Sequence, residues 1–230
     1  MRTVWQYSYF WGVAFETLVA GAAYLAVPRQ RRMMFISGLV ATPLCFAGIL
    51  HEKIYWNPVR LFGGRLGIED VLFCFSLGSL VWLAAVWPFR SRITNQLKPF
   101  LFLVRLILLC IMGGCLFGIF VNVGTKVMAA NIYAQAALAV ILVLLRPGQF
   151  PLAAAGTLIY SGYYFIVLLV TSLWLPGFFS TWNGSELWSR SLLGIPLEEI
   201  LWVTTFSACW PLLISYVCDV RIQARRKLEG

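Results

Sequence analysis

Nine acidic residues occur in a chain of 230, and four of them stand in two adjacent pairs, Glu69-Asp70 and Glu198-Glu199. Aligned on the acids, Ile68-Glu69-Asp70-Val71-Leu72-Phe73 matches Leu197-Glu198-Glu199-Ile200-Leu201-Trp202. Each pair follows a long loop containing a Trp-Asn step, Trp56-Asn57 and Trp182-Asn183. A carboxylate in the first turn of a helix is favoured by the backbone dipole by about 0.3–1 kcal/mol. That effect asks for no second acid and no repetition at an equivalent place. Neighbours on a helix point about 100° apart, so one acid of each pair can face a cavity while the other binds the loop. A carboxyl group kept protonated near neutral pH is a usable general acid. Trp56, Phe73, Trp182, Trp188 and Trp202 accompany the acids, and aromatic faces beside a dry acid can stabilise a carbocation.

The elements that must position these residues follow from composition. Sixty per cent of the chain is hydrophobic and only 12% is charged, with a mean hydropathy of +0.81. Soluble domains run at about 25% charged, so soluble, disordered and disulfide-stapled classes are excluded. The class that remains is an all-α integral membrane protein. Runs of about 20 apolar residues predict seven spans, over 5–27, 33–51, 68–87, 99–121, 127–145, 151–174 and 196–218. The first run is a full-length span with no small-residue cleavage site, so no signal peptide is expected.

The net charge of +9 does not indicate nucleic acid, because the basic residues fall in gaps between spans and form no continuous face. Eleven lie on one side: Arg29, Arg31, Arg32, Arg90, Arg92, Lys98, Arg146, Arg221, Arg225, Arg226 and Lys227. Six lie on the other, Arg2, Lys53, Arg60, Arg65, Lys126 and Arg190, and Arg105 falls inside a span. The richer side is expected to be cytoplasmic, which places the amino terminus outside, the carboxyl terminus inside and both long loops on the outer side.

The matching acid segments also predict an internal repeat. Residues 1–95 and 126–230 read as two three-helix units, joined by a connector helix over 96–125. A three-span unit reverses direction, so one additional span lets a second copy insert the same way. The units are then parallel repeats about an axis along the membrane normal. Both acid pairs would share one depth and lie within reach of one cavity between the halves.

Other residues suggest less. Glu16 and Arg105 are expected to neutralise each other across spans, and His51 and Glu52 to be solvated at a loop end. The six cysteines read as small buried hydrophobes, since no CxxC spacing or neighbouring His suggests a metal site. A retinal photoreceptor is excluded because all four lysines lie at span ends. A transporter would carry its acids at mid-span on broken helices, whereas only Pro43 and Pro211 interrupt spans here. A non-catalytic carotenoid or lipid scaffold is the other rival.

The segments Trp56-Asn57-Pro58, Gly63, Gly67-Ile68-Glu69-Asp70-Val71-Leu72-Phe73 and Gly194-Ile195-Pro196-Leu197-Glu198-Glu199 resemble the repeated signature of the membrane-integral lycopene cyclase family. That family occurs as paired small subunits in actinobacteria and as fused chains in fungi and archaea. The resemblance implies acid-initiated, redox-neutral cyclisation of a linear carotenoid end group to a β-ring, with no cofactor and no metal. It marks Glu69, Asp70, Glu198 and Glu199 as the acids, Glu69 and Glu198 first. No GxGxxG is present, so the flavin-binding cyclases are not the pattern followed. The partners implied are a membrane-dissolved carotenoid or other isoprenoid and the bilayer itself; nothing in the sequence excludes a homo-oligomer. Gly67 stands where the second unit has Pro196, and Asp70 where it has Glu199, so the two sites need not do the same chemistry.

Overall fold

The computed structural model describes residues 7–52, 54–175 and 178–223. It contains seven helical segments long and apolar enough to cross a membrane. These are α1 (Ser8–Ala26), α2 (Arg31–Ala41) with α3 (Leu44–His51), α4 (Ile68–Val86), α5 (Pro99–Asn122), α6 (Val127–Leu145), α7 (Phe150–Trp174) and α8 (Leu197–Val217). Helices α2 and α3 make one span, Pro28–Ile49, broken at Thr42-Pro43 because a proline ring blocks the preceding turn. Pro211, by contrast, sits inside an unbroken α8. Of the basic residues used to orient the chain, Arg2, Lys53, Arg225, Arg226 and Lys227 lie outside the described residues.

Helices α4 and α8, which carry the acid pairs, are the most buried spans, and α5 is the least. In the first unit, α1 and α2 pack on α4; in the second, α6 and α7 pack on α8. The units meet where α4 packs on α7 and α8, while α5 lies outside against α6. Cys45, Cys74, Cys209 and Cys218 are buried as expected. Cys110 and Cys115 are exposed on α5, which corrects their reading as buried hydrophobes: a peripheral helix turns most of its surface to lipid.

Small residues set the closest approaches. A Cβ on Gly78 of α4 would meet Ala41 Cβ at 2.5 Å and Ser37 O at 2.8 Å on α2, and one on Gly156 of α7 would meet Ser207 O of α8 at 2.5 Å. Without a hydrophobic drive between helices in lipid, such close backbone contact is a main source of cohesion. Ser37 fastens three helices: its Oγ donates to Gly78 O at 2.7 Å and accepts from Trp210 Nε1 at 2.9 Å.

Two short strand pairs lie at opposite ends. At the carboxyl end of α4 and α8, β1 (Ile93–Thr94) pairs antiparallel with β4 (Arg221–Ile222), Ile93 facing Ile222. At the other end, β2 (Ser191–Leu192) and β3 (Ile195–Pro196) form a hairpin leading into α8. Its two turn residues, Leu193 (φ 52°) and Gly194 (φ 81°), both adopt the positive φ that a tight two-residue hairpin needs.

Gly78→Val is expected to force α2 from α4 and lower the melting temperature in detergent, by overpacking worth about 1–3 kcal/mol. Gly114→Ala on α5, where a Cβ meets nothing within 4 Å, should leave it unchanged. Scanning fluorimetry of the two variants beside wild type checks this, and equal melting points would refute the close-packing account.

Candidate active site

Each acid pair opens its helix, and each is withdrawn from water. Glu69 and Glu198 are both 1% exposed, and Asp70 and Glu199 both 6%. Asp70 is placed by the helix start itself, since its Oδ2 accepts the Gly67 N–H at 2.7 Å, as an acid at the third helical position does in a capping box. A Cβ at Gly67 would meet Glu69 Oε2, so the Glu69 carboxyl lies directly against this turn.

The two pairs are held in parallel ways. Glu69 Oε1 accepts the Leu61 N–H at 2.7 Å, and Glu198 Oε1 accepts the Trp188 N–H. In both, Oε2 is buried without a hydrogen-bond partner. The second acid of each pair takes a tyrosine hydroxyl: Tyr9 donates to Asp70 Oδ1 at 2.9 Å, and Tyr55 to Glu199 Oε1 at 2.7 Å. The first acid of each pair therefore faces a backbone amide of its loop, and the second a phenol.

The pairs differ in countercharge. Arg60 binds Asp70 Oδ2 through Nε at 2.7 Å and Glu52 Oε1 at 3.2 Å. Burial acts to lower the Arg60 pKa, but the hydrogen bond and charge of Asp70, with those of Glu52, leave it raised. Glu199 has only neutral donors, Tyr55 and Trp182 Nε1 at 2.7 Å, and among the described residues neither Glu198 nor Glu199 is in an ion pair. Burial, then the charge and hydrogen bond of Glu199, raise the Tyr55 pKa far above the usual phenol range, so Tyr55 remains a donor.

The long loops that bring these groups in are stitched to each other. Trp56 and Trp182 face one another in an antiparallel bridge. Asn57 N–H donates to Thr181 O at 3.0 Å, and Asn183 N–H to Tyr55 O at 2.8 Å. Tyr9 meets the Trp56 ring edge-on at 4.7 Å, and Trp56 lies 6.1 Å from Trp182. Asp70, Tyr9, Trp56, Trp182 and Glu199 thus form one chain of contacts joining the two acid pairs.

Trp56, Trp182, Trp188 and Trp202 gather around buried Tyr55, Met128 and Ile132. Phe73 lies apart from that group and packs on the main bundle core. Trp202 also heads a stack on α8, with Phe206 at 5.7 Å and then Trp210 at 5.2 Å from Phe206.

Two expected arrangements are overturned. Glu16 does not meet Arg105; it is buried and accepts from the Tyr160 hydroxyl of α7. Arg105 instead donates to Tyr216 O at 2.9 Å and lies 3.9 Å from Asp219, because it enters the bundle near the end opposite the acids. Nor is Glu52 solvated, and His51 is half-buried. Glu52 is buried against Arg60, and burial lowers the His51 pKa, opposed by its contact with Ala47 O. Tyr9, Tyr55 and Arg60 escaped the sequence reading. Tyr55 adjoins the Trp56-Asn57 step and Arg60 precedes Asp70 by ten residues, but neither spacing shows which way the loop folds.

Residues 125–217 match the family model described as Lycopene cyclase. The matched segment runs from the turn before α6 to the end of α8, and so contains Glu198, Glu199 and Trp182, Trp188 and Trp202. The chain matches no curated protein and no solved structure. Over these 93 residues the chain is similar to the lycopene cyclase family.

Proposed function

We propose that this protein cyclises the end group of a linear carotenoid, lycopene to a β-ring being the leading case, without a cofactor. The observation that carries this reading is the Glu198-Glu199 pair: two carboxyl groups at a helix start, buried, hydrogen-bonded among the described residues only by neutral donors, and surrounded by tryptophans. A buried carboxyl with no cation beside it is least costly when it carries a proton. That is the state an acid needs to attack an alkene. The proton passes to the terminal double bond and leaves a tertiary carbocation. The neighbouring alkene attacks this cation, the ring closes, and loss of a ring proton forms the new double bond. One proton is given and one taken, so substrate and product are isomers and no electron carrier enters.

The countercharge divides the roles. Glu198, with Glu199 beside it, is assigned as donor. Glu69 is assigned as acceptor, because its neighbour Asp70 is already balanced by Arg60. Trp56, Trp182, Trp188 and Trp202 supply the π-faces for the cation, and Tyr9, Tyr55 and Arg60 fix the second acid of each pair.

The test is expression in a lycopene-accumulating bacterium with chromatography and mass detection of the pigments. The expected result is a β-ring product of unchanged mass, lost in Glu198→Gln and Glu69→Gln. Unchanged lycopene with well-expressed wild type rejects this substrate and turns the question to other isoprenoids. Pigment bound but unaltered would favour a scaffold, and substrate moved across vesicles without change a transporter. Tyr55→Phe removes one of the two donors to Glu199 while Trp182 remains. It is expected to lower product formed per folded protein about tenfold, as loss of a hydrogen bond to an acid does.

We also propose that the two units are parallel repeats, with the amino terminus outside and the carboxyl terminus cytoplasmic. Ile93 and Ile222, which face each other at one end, are separated by the same interval as Glu69 and Glu198. The tryptophans of the two Trp-Asn steps face each other at the other end. Both pairings are where an axis relating the units would pass. In a chain freed of its cysteines, a cysteine at Phe62 and one at Gly184 should label from outside, and one at Asn95 only from the cytoplasm. Labelling of Phe62→Cys and Gly184→Cys from opposite sides would overturn the parallel arrangement.

A further inference from the structure

The two units differ at the end of the bundle opposite the acids. In the second, Asp219 gathers Arg146 at 2.9 Å, Arg221 at 3.8 Å and Arg105 at 3.9 Å. Beside it the turn Pro147-Gly148-Gln149 is tied down by Gln149 Nε2, which donates to Val220 O at 3.1 Å. The first unit has the same kind of turn, Pro28-Arg29-Gln30, at the start of α2. Aligned on the acid pairs, however, Arg90 stands where the second unit has Asp219. Among the described residues, Arg29, Arg31, Arg32, Arg90 and Arg92 form no ion pair.

A cavity of about 460 Å³ lies there, lined by Arg29, Gln30, Arg90, Ser91, Pro28 and Pro88 among others. Gln30 is 5% exposed and its Oε1 has no hydrogen-bond partner. Helix α2 directs the positive end of its dipole to this place, and its first turn holds Arg31 and Arg32 but no acid. Arg31 is turned back to cap α1, through Tyr24 O at 2.7 Å and Leu25 O at 2.8 Å. Arg29 and Arg90 line the cavity, Arg90 with its guanidinium over the Trp87 ring and its Nη1 donating to Trp87 O at 3.0 Å. The cavity joins the ends of α1, α2 and α4, which is the depth at which lipid phosphates lie. Basic pockets between span ends hold anionic headgroups in this way.

We infer that this cavity is a binding site for a phosphate group, contributed by the headgroup of an anionic glycerophospholipid. Arg29 and Arg90 neutralise the phosphate. The Gln30 amide accepts from a headgroup hydroxyl or, turned over, donates to a phosphate oxygen. Asp219 fills the corresponding place in the second unit, so only the first requires an external anion.

The full chain, delipidated in neutral detergent, is titrated with phosphatidylglycerol, phosphatidylcholine or inorganic phosphate, and its melting temperature is followed. Phosphatidylglycerol should raise it and phosphatidylcholine should not. Arg29→Gln with Arg90→Gln should weaken the apparent affinity about tenfold or more. Lys98→Gln with Arg221→Gln, which removes the same charge from the same end, should leave it intact. Gln30→Leu keeps the charge and serves if the arginine variant does not fold; it too should weaken binding. If inorganic phosphate alone reproduces the shift in wild type and not in the arginine variant, the site stands and the free ion is its source. Equal losses in the two double variants, or no response to phosphatidylglycerol, overturn the proposal.

Discussion

A carboxyl group taken out of water has to find hydrogen-bond donors inside the protein, and this chain takes out four of them in two adjacent pairs. The spans offer few donors, because their own amides are committed to the helices. The donors come instead from the two long loops and from the amino-terminal turn of α1: Leu61 N–H, Trp188 N–H, Arg60, Trp182, Tyr55 and Tyr9. The loops are thereby drawn down onto the ends of α4 and α8. Most of what distinguishes this end of the molecule follows from that demand.

The loops also answer to each other. Tyr55 belongs to the first unit yet donates to Glu199 of the second, and Asn183 of the second donates through Nδ2 to Ile54 O at 2.8 Å. Such crossing means that the Glu198-Glu199 pair is completed only with a donor from the first half, whereas Glu69 and Asp70 take theirs from Tyr9, Arg60, Leu61 and Gly67. A change in one loop is transmitted to the opposite acids through a short path of hydrogen bonds and ring contacts, with Trp56 and Trp182 at its centre.

The two acid pairs are held alike, which makes their differences readable. At the acid end, Arg60 balances Asp70 and has no counterpart near Glu199 among the described residues. At the other end the asymmetry is reversed: Asp219 balances Arg105, Arg146 and Arg221, and among the described residues Arg29, Arg31, Arg32, Arg90 and Arg92 have no acid.

The sequence by itself determined the class of fold and the number of spans, and it singled out the two acid pairs. Those are properties of local composition, since about 20 apolar residues in a row can do little but span a bilayer. An adjacent acid pair at the head of such a run, seen twice, is also visible without coordinates. Contacts between distant segments were not legible. Nothing in the spacing showed that Glu16 meets Tyr160 and not Arg105, for both partners were apolar-run residues with no register to compare. Arg60 read as one more loop cation, and Tyr55 was not singled out. Only the tertiary structure brought them to Asp70 and Glu199, because loop direction is decided by which donors the buried acids capture.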